Sequence, residues 1–182
     1  ISVVVSAVAG VSNKLQAGID GCISGAVAAP YVSELRSIHS DICAELKSAL
    51  PKFNAEAVMA KINVCLDELE RLLSGLATFG ECPTSVHCRI MGMGELMCAP
   101  IVESVLLAKD QSVLLLDSRK FIYTTGDQKE GDPDYARCSE ALAGYRDGSS
   151  ALAQILLFGL YMLVDRRNRC CSRYGTFGTQ WK

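Results

Sequence analysis

No Cys-x-x-Cys pair occurs in this 182-residue sequence, although it has nine cysteines. Zinc sites are commonly built on that spacing, and Cys82, His87 and Cys88 are too sparse to replace it, so no metal site is expected. The cysteines are scattered and odd in number, and several lie in apolar stretches where a thiol acts as a small hydrophobe. Reduced thiols in a cytoplasmic protein are the simple expectation. A charge excess is lacking too: 18 Lys and Arg face 20 Asp and Glu, for a net charge of −2 and a pI near 5.7. That leaves no electrostatic footprint for nucleic acid or an anionic membrane. The longest apolar run, Ile155 to Val164, is half of the ~20 residues a membrane-spanning helix needs. No charged segment precedes Val3, so no signal peptide is expected. Neither an internal repeat nor a low-complexity segment is visible. What remains, 49% hydrophobic and 21% charged, is the make-up of one globular domain, long enough to bury about 70% of its unfolded surface.

Hydrophobic patterning divides the chain into alternating strands and helices. Val3, Val4 and Val5 run without polar alternation, as in a parallel strand covered on both faces, so Ser2 to Ser6 is expected to be a buried strand. Ala7 to Ser12 reads as a turn and Asn13 to about Ser24 as a helix. Tyr31 to about Leu50 carries an apolar stripe of Val32, Leu35, Ile38, Ile42 and Leu46 and stops at Pro51. Asn54 is a plausible N-cap for a helix whose stripe runs from Val58 to Leu76. These two helices read as an antiparallel pair, a lid or insertion over about 31–78. A helix from Val86 to about Ala108 should be kinked or broken at Pro100. Ser112 to Asp117 reads as a second buried strand, Tyr123 to Asp134 as a loop, Tyr135 to Tyr145 as a helix and Ile155 to Val164 as a third strand. A tail over 165–182 has no clean period. The alternation implies an α/β fold with a largely parallel sheet.

In such sheets ligands gather outside the carboxyl ends of the strands. Three loops qualify: Ser6 to Ser12, Asp117 to Thr125 and the tail. In the first, small residues admit close approach of the backbone, Ser6 and Ser12 add hydroxyls, and the N–H groups that open the next helix favour anions. Glu95 stands alone in "MGMGELMCAPI". A carboxylate among Met, Leu and Cys is costly unless it is paired. It either sits on an exposed helix face or binds a cation such as a substrate amino group.

"VVVSAVAGVSNKL", "GMGELM" and "LLLDSRKFIYTTGDQKEGDPDYA" occur in an order and at separations that resemble the catalytic domain of aspartate kinases. "GECPTS" before the "GELM" helix resembles the kinase part of bifunctional aspartokinase–homoserine dehydrogenases. The resemblance covers about Ile1 to Asp134 and extends more faintly to Val164. It implies the amino-acid kinase fold, a three-layer sandwich on a largely parallel central sheet, here as one partial domain over 1–182 with an added helical pair. It also implies phosphoryl transfer from ATP, with Mg²⁺, to the side-chain carboxylate of L-aspartate, in amino-acid biosynthesis. By position, Ser6, Ala9 and Gly10 match the turn that faces the phosphates. Ser12 stands where the family usually has a substrate-contacting Thr. Glu95 matches the acid that pairs with the substrate amino group, and Asp117 and Arg119 match a motif that supports the pocket.

Two family segments have no clear counterpart. The Lys-Phe-Gly-Gly-Thr-Ser stretch, whose Lys sits at the phosphates, would precede Ile1. The Thr-Thr-Leu-Gly-Arg-Gly-Gly-Ser-Asp stretch that grips the substrate α-carboxylate is echoed only by Arg173 and Gly175. Since phosphoryl transfer depends on charge neutralisation at the phosphates, the chain alone is expected to be weakly active or inactive. A binding or regulatory module that keeps the fold without the chemistry is the alternative. A carbamate- or glutamate-kinase-like relative is a third reading, against which the Glu95 motif speaks. The family is usually oligomeric, so the full-length protein is expected to be a homo-oligomer.

Overall fold

A computed structural model describes residues 2–126, 132–146, 154–158, 163–165 and 169–171. The first strand, β1, is Ser2–Val5, followed by α1 at Val11–Ile23, α2 at Ala29–Ala49, α3 at Ala55–Phe79 and α4 at Thr84–Ala108. β2 at Val113–Asp117 leads through a 3-10 turn, Ser118–Lys120, to the two-residue strands β3, Thr124–Thr125, and β4, Asp132–Pro133. α5 is Tyr135–Arg146, and β5 at Gln154–Phe158, β6 at Leu163–Asp165 and β7 at Arg169–Cys171 complete the order.

The expected parallel sheet is present but small. Its strand order is β1-β5-β2, and both pairings are parallel. Val5 and Asp117 lie in register with the same residue, Phe158. The carboxyl ends of β1 and β2 therefore share one edge, two strand spacings or about 10 Å apart. The strand expected over Ile155 to Val164 is divided: β5 ends at Phe158, and Leu163 and Val164 belong to β6, which pairs antiparallel with β7 in a separate ribbon. The loop expected over Tyr123 to Asp134 contains the β3–β4 ribbon.

Helices dominate the described residues. α4 packs against β1, β2 and β5 and also against α1, α2 and α3. Its middle, from Ile90 to Ile101, is almost wholly buried, which explains why that part of its sequence has no polar face. By length and composition it could cross a membrane, but 56% of that stretch is buried within the fold. No break occurs at Pro100: α4 is one helix through it, and the proline costs the hydrogen bond its N–H would have given to the Leu96 carbonyl. The helical pair α2–α3 packs on itself and on α1 and α4, and residues of all four helices share one core. The far face of the sheet is less covered, with Val4 on β1 55% exposed. The described residues thus show the sheet and a helical stack against it, rather than a complete three-layer sandwich.

Local chemistry explains the helix boundaries. The Asn54 side chain accepts a hydrogen bond from the Ala57 amide at 3.0 Å, the N-cap read from the sequence. At the other end Gly80 takes φ 71°, the left-handed conformation that terminates α3. Asn54→Ala should cost about 1 kcal/mol, and thermal melting would read it as a drop of roughly 2–4 °C.

The α2 stripe is rotated from its expected position. Its buried residues are Val32, Leu35, His39 and Cys43, whereas Ile38, Ile42 and Leu46 are half-buried. His39 is fully buried, with Nδ1 2.7 Å from the Leu35 carbonyl and Nε2 without a partner. Nδ1 is thus the protonated nitrogen of the neutral ring. Burial pushes the His39 pKa below its ordinary value, against the Leu35 bond, which raises it. The unfolded chain therefore binds the extra proton first, and the stability that the neutral ring contributes is lost as pH falls below about 6.5. His39→Leu should flatten that acid-side decline in a pH series of melting temperatures. An unchanged slope would remove His39 as its source.

Candidate functional site

The site is built where β1 meets α1. The strand delivers Ser6 and Ala7 at the carboxyl edge of the sheet, and Gly10 turns the chain with φ 81°. That left-handed conformation favours glycine. The turn is closed by the Val11 amide donating to the Val8 carbonyl at 3.0 Å. No side chain caps α1 and its first turn holds no acid, so its opening N–H groups suit an anion. Ser6, Ala9 and Gly10 are exposed, and Ser12, second residue of α1, is half-buried.

Beneath this turn lies α4, at a distance set by Gly94. A Cβ placed there would be 2.7 Å from the Ala7 Cβ, with Val11 and Leu15 of α1 next nearest. Because Gly94 has no side chain, the turn can settle onto α4 directly beside Glu95. Glu95 is 3% exposed, so the reading of an exposed helix face does not hold. The Ser6 hydroxyl donates to Glu95 Oε1 across a long 3.5 Å, while Oε2 is buried without a hydrogen-bond partner. Burial pushes the Glu95 carboxyl above its ordinary pKa. Contacts with its own helix backbone, the Ala7 amide and the Ser6 hydroxyl pull the other way. One turn along α4, Cys98 is buried, and its thiol is pushed up by burial and by the nearby Glu95 charge.

Asp117 and Arg119 stand at the end of β2 and satisfy each other. Arg119 Nε donates to Asp117 Oδ1 at 2.8 Å and Nη2 to Oδ2 at 2.6 Å, while the Arg119 amide donates to Oδ1 at 3.0 Å. The pair fixes the chain as it leaves the sheet. Arg119 also feels Cys65 and Glu68 of α3, which ties this corner to the helical stack. Arg173 lies outside the described residues. The structure thus brings Ser6 and Glu95 together, with the Ala9–Gly10 turn and Ser12 following directly on the chain, and places Asp117 and Arg119 on the same sheet edge. Sequence reasoning missed Gly94 and Cys98. The small residue just before the acid in "GMGELM" was the available signal for Gly94. Among the described residues no group of three or more His, Cys, Asp or Glu side chains could hold a metal ion.

No family model matches the chain. It is 24% identical over 127 residues to a bifunctional aspartokinase/homoserine dehydrogenase of Buchnera aphidicola, a match over 70% of this chain and 16% of that protein. In fold it is similar to E. coli aspartokinase III in complex with aspartate and ADP, with a TM-score of 0.78 and 20% identity, over 94% of this chain and 36% of that one. The same enzyme in complex with lysine and aspartate gives a TM-score of 0.78, also at 20% identity, over 96% of this chain and 38% of that one. The chain therefore spans about a sixth of its curated relative and little more than a third of the solved ones. Sequence and fold point the same way as the resemblance in the motifs: both similarities support an aspartokinase-related domain.

Proposed function

We propose that this chain is the amino-acid-binding part of an aspartate kinase and that its ligand is L-aspartate. The observation that carries this reading is the buried Glu95 carboxyl, with one oxygen unpartnered beneath a turn that can face an anion. Such a group is costly to keep unless a cation completes it, and the ammonium group of an amino acid is such a cation. The aspartate in the E. coli aspartokinase III complexes supports the choice of amino acid, and the ADP supports a nucleotide as the second substrate.

In the assembled enzyme Glu95 would hold the ammonium group and the Ser12 hydroxyl would contact the substrate. Arg173 would meet the α-carboxylate. Ser6, Ala9 and Gly10 would present the turn, backbone amides included, to the phosphates. Asp117 and Arg119 would hold the β2 end of the pocket in place. The reaction forms a bond between an aspartate side-chain oxygen and the γ-phosphorus of ATP, and breaks the bond from that phosphorus to the oxygen that leaves with ADP. Such transfer is driven by positioning and charge neutralisation, and Mg²⁺ would enter with the nucleotide's phosphates.

Calorimetry with L-aspartate, followed by Mg-ATP, tests the proposal. Saturable binding of aspartate, much weaker for succinate, is expected. Equal affinity for succinate, which lacks the ammonium group, would reject the role of Glu95. A binding module without kinase chemistry would take aspartate and release no ADP.

A further inference from the structure

We propose that aspartate binding at Glu95 is coupled to the release of one proton: the empty site holds Glu95 as a neutral acid, and the arriving ammonium group converts it to a carboxylate. This inference rests on the reading of Glu95 as the ammonium-binding group and adds a linkage to it.

The surroundings of the carboxyl carry the argument. From the β1–α1 turn it meets the Ser6 hydroxyl and the Ala7 amide, neither of which titrates in the working range. Val11 and Leu15 of α1 border the same contact at Gly94. On α4 its titratable neighbour is Cys98, whose thiol is held protonated by burial and by the Glu95 charge and so offers that carboxyl no positive partner. Cys98 in turn packs among Val5, Val8, Val102, Val113 and Leu115. Among the residues whose side chains are described, no cation pairs with Glu95. The Ser6 hydroxyl reaches Oε1 only across 3.5 Å, the Ala7 and Glu95 amides add backbone contacts, and Oε2 has no hydrogen-bond partner, short of what an ionised carboxylate can accept.

An uncompensated charge in such a place is avoided by keeping the proton. A ligand ammonium at hydrogen-bond distance reverses the balance, because an opposite charge favours the ionised form. The carboxyl O–H bond then breaks, its electron pair stays on Glu95, and the proton passes to solvent while the ammonium keeps its own three. Below the midpoint of the empty site, apparent affinity should rise about tenfold per pH unit, because each bound ligand expels one proton. Above that midpoint it should level off.

Two measurements test the linkage. The first is calorimetry of the chain with L-aspartate between about pH 5 and pH 8, in buffers of different ionisation enthalpy. Heat that varies with buffer, giving close to one proton released at the acid end and none once affinity levels off, is expected. Measurable binding with buffer-independent heat throughout would overturn the linkage and leave aspartate binding intact. The second needs no ligand: a carbon-13 titration of the glutamate carboxyls, with the Glu95 signal assigned by its loss in Glu95→Gln. A midpoint well above the usual glutamate range supports the linkage, and an ordinary midpoint overturns it whatever aspartate does. A raised midpoint with no aspartate binding would instead reject the proposed function.

Discussion

Glu95→Gln is expected to weaken L-aspartate binding by roughly 10- to 100-fold and, at neutral pH, to raise the melting temperature of the ligand-free chain. The first effect is the loss of a charge-assisted contact, about 1.5–3 kcal/mol. The second follows from burial. The folded-state pKa of Glu95 lies above its unfolded value, so folding takes up a proton in the window between the two. The stability of the neutral form is complete below the unfolded value, about 4.3, and is lost as pH rises through the folded one. A glutamine of the same shape never ionises and keeps that stability. The gap in melting temperature between variant and parent should therefore be small in acid and widen toward neutral pH. In the complete enzyme the KM for aspartate should rise far more than that for ATP. A residue kept for structure would behave otherwise: its loss would lower the melting temperature and move both KM values together. That outcome would end the assignment of Glu95 to substrate.

The second large effect is expected at Gly94. The position where its Cβ would stand is 2.7 Å from the Ala7 Cβ, and neither atom can rotate away. Gly94→Ala must push the turn off α4 or bend the helix. Overpacking of this kind costs about 1–3 kcal/mol, an alanine's better helix propensity offsetting at most about 1 kcal/mol. The same displacement separates Ser6 from Glu95, so aspartate affinity should fall with stability. The paired change Gly94→Ala with Ala7→Gly removes the obstructing methyl and should restore part of both. If the pair is no better than Gly94→Ala alone, close approach at this point is not what the glycine provides.

How much of this could be read from the sequence depended on the contrast between faces. α1, α2 and α3 were legible because each has a wet side, and their periodicity and the Asn54 cap placed them to within about two residues. Periodicity places the α2 stripe one residue off because His39 counts as polar in any pattern, although its ring lies fully buried with one nitrogen on the Leu35 carbonyl. α4 has no wet side over its middle, so periodicity could not decide whether Glu95 faced water or protein; only packing against the β1–α1 turn decides it. Pro100 predicts a kink or break when only local rules apply, and the surrounding core holds the helix together through it. The apolar run from Ile155 to Val164 spans parts of two strands, β5 and β6, because such a run does not reveal where pairing passes from one sheet to another. Family motifs brought Ser6, Ser12, Glu95, Asp117 and Arg119 into one list, but the Ser6 contact with Glu95 and the shared register at Phe158 are properties of the folded chain.

Glu95 and Pro100 also share a mechanical fate. The rung missing from the ladder of α4 belongs to the Leu96 carbonyl, next along the chain from Glu95. The spine of the molecule is therefore one rung short beside its buried acid, and what secures it there is the wedge of sheet on one flank and stacked helices on the other.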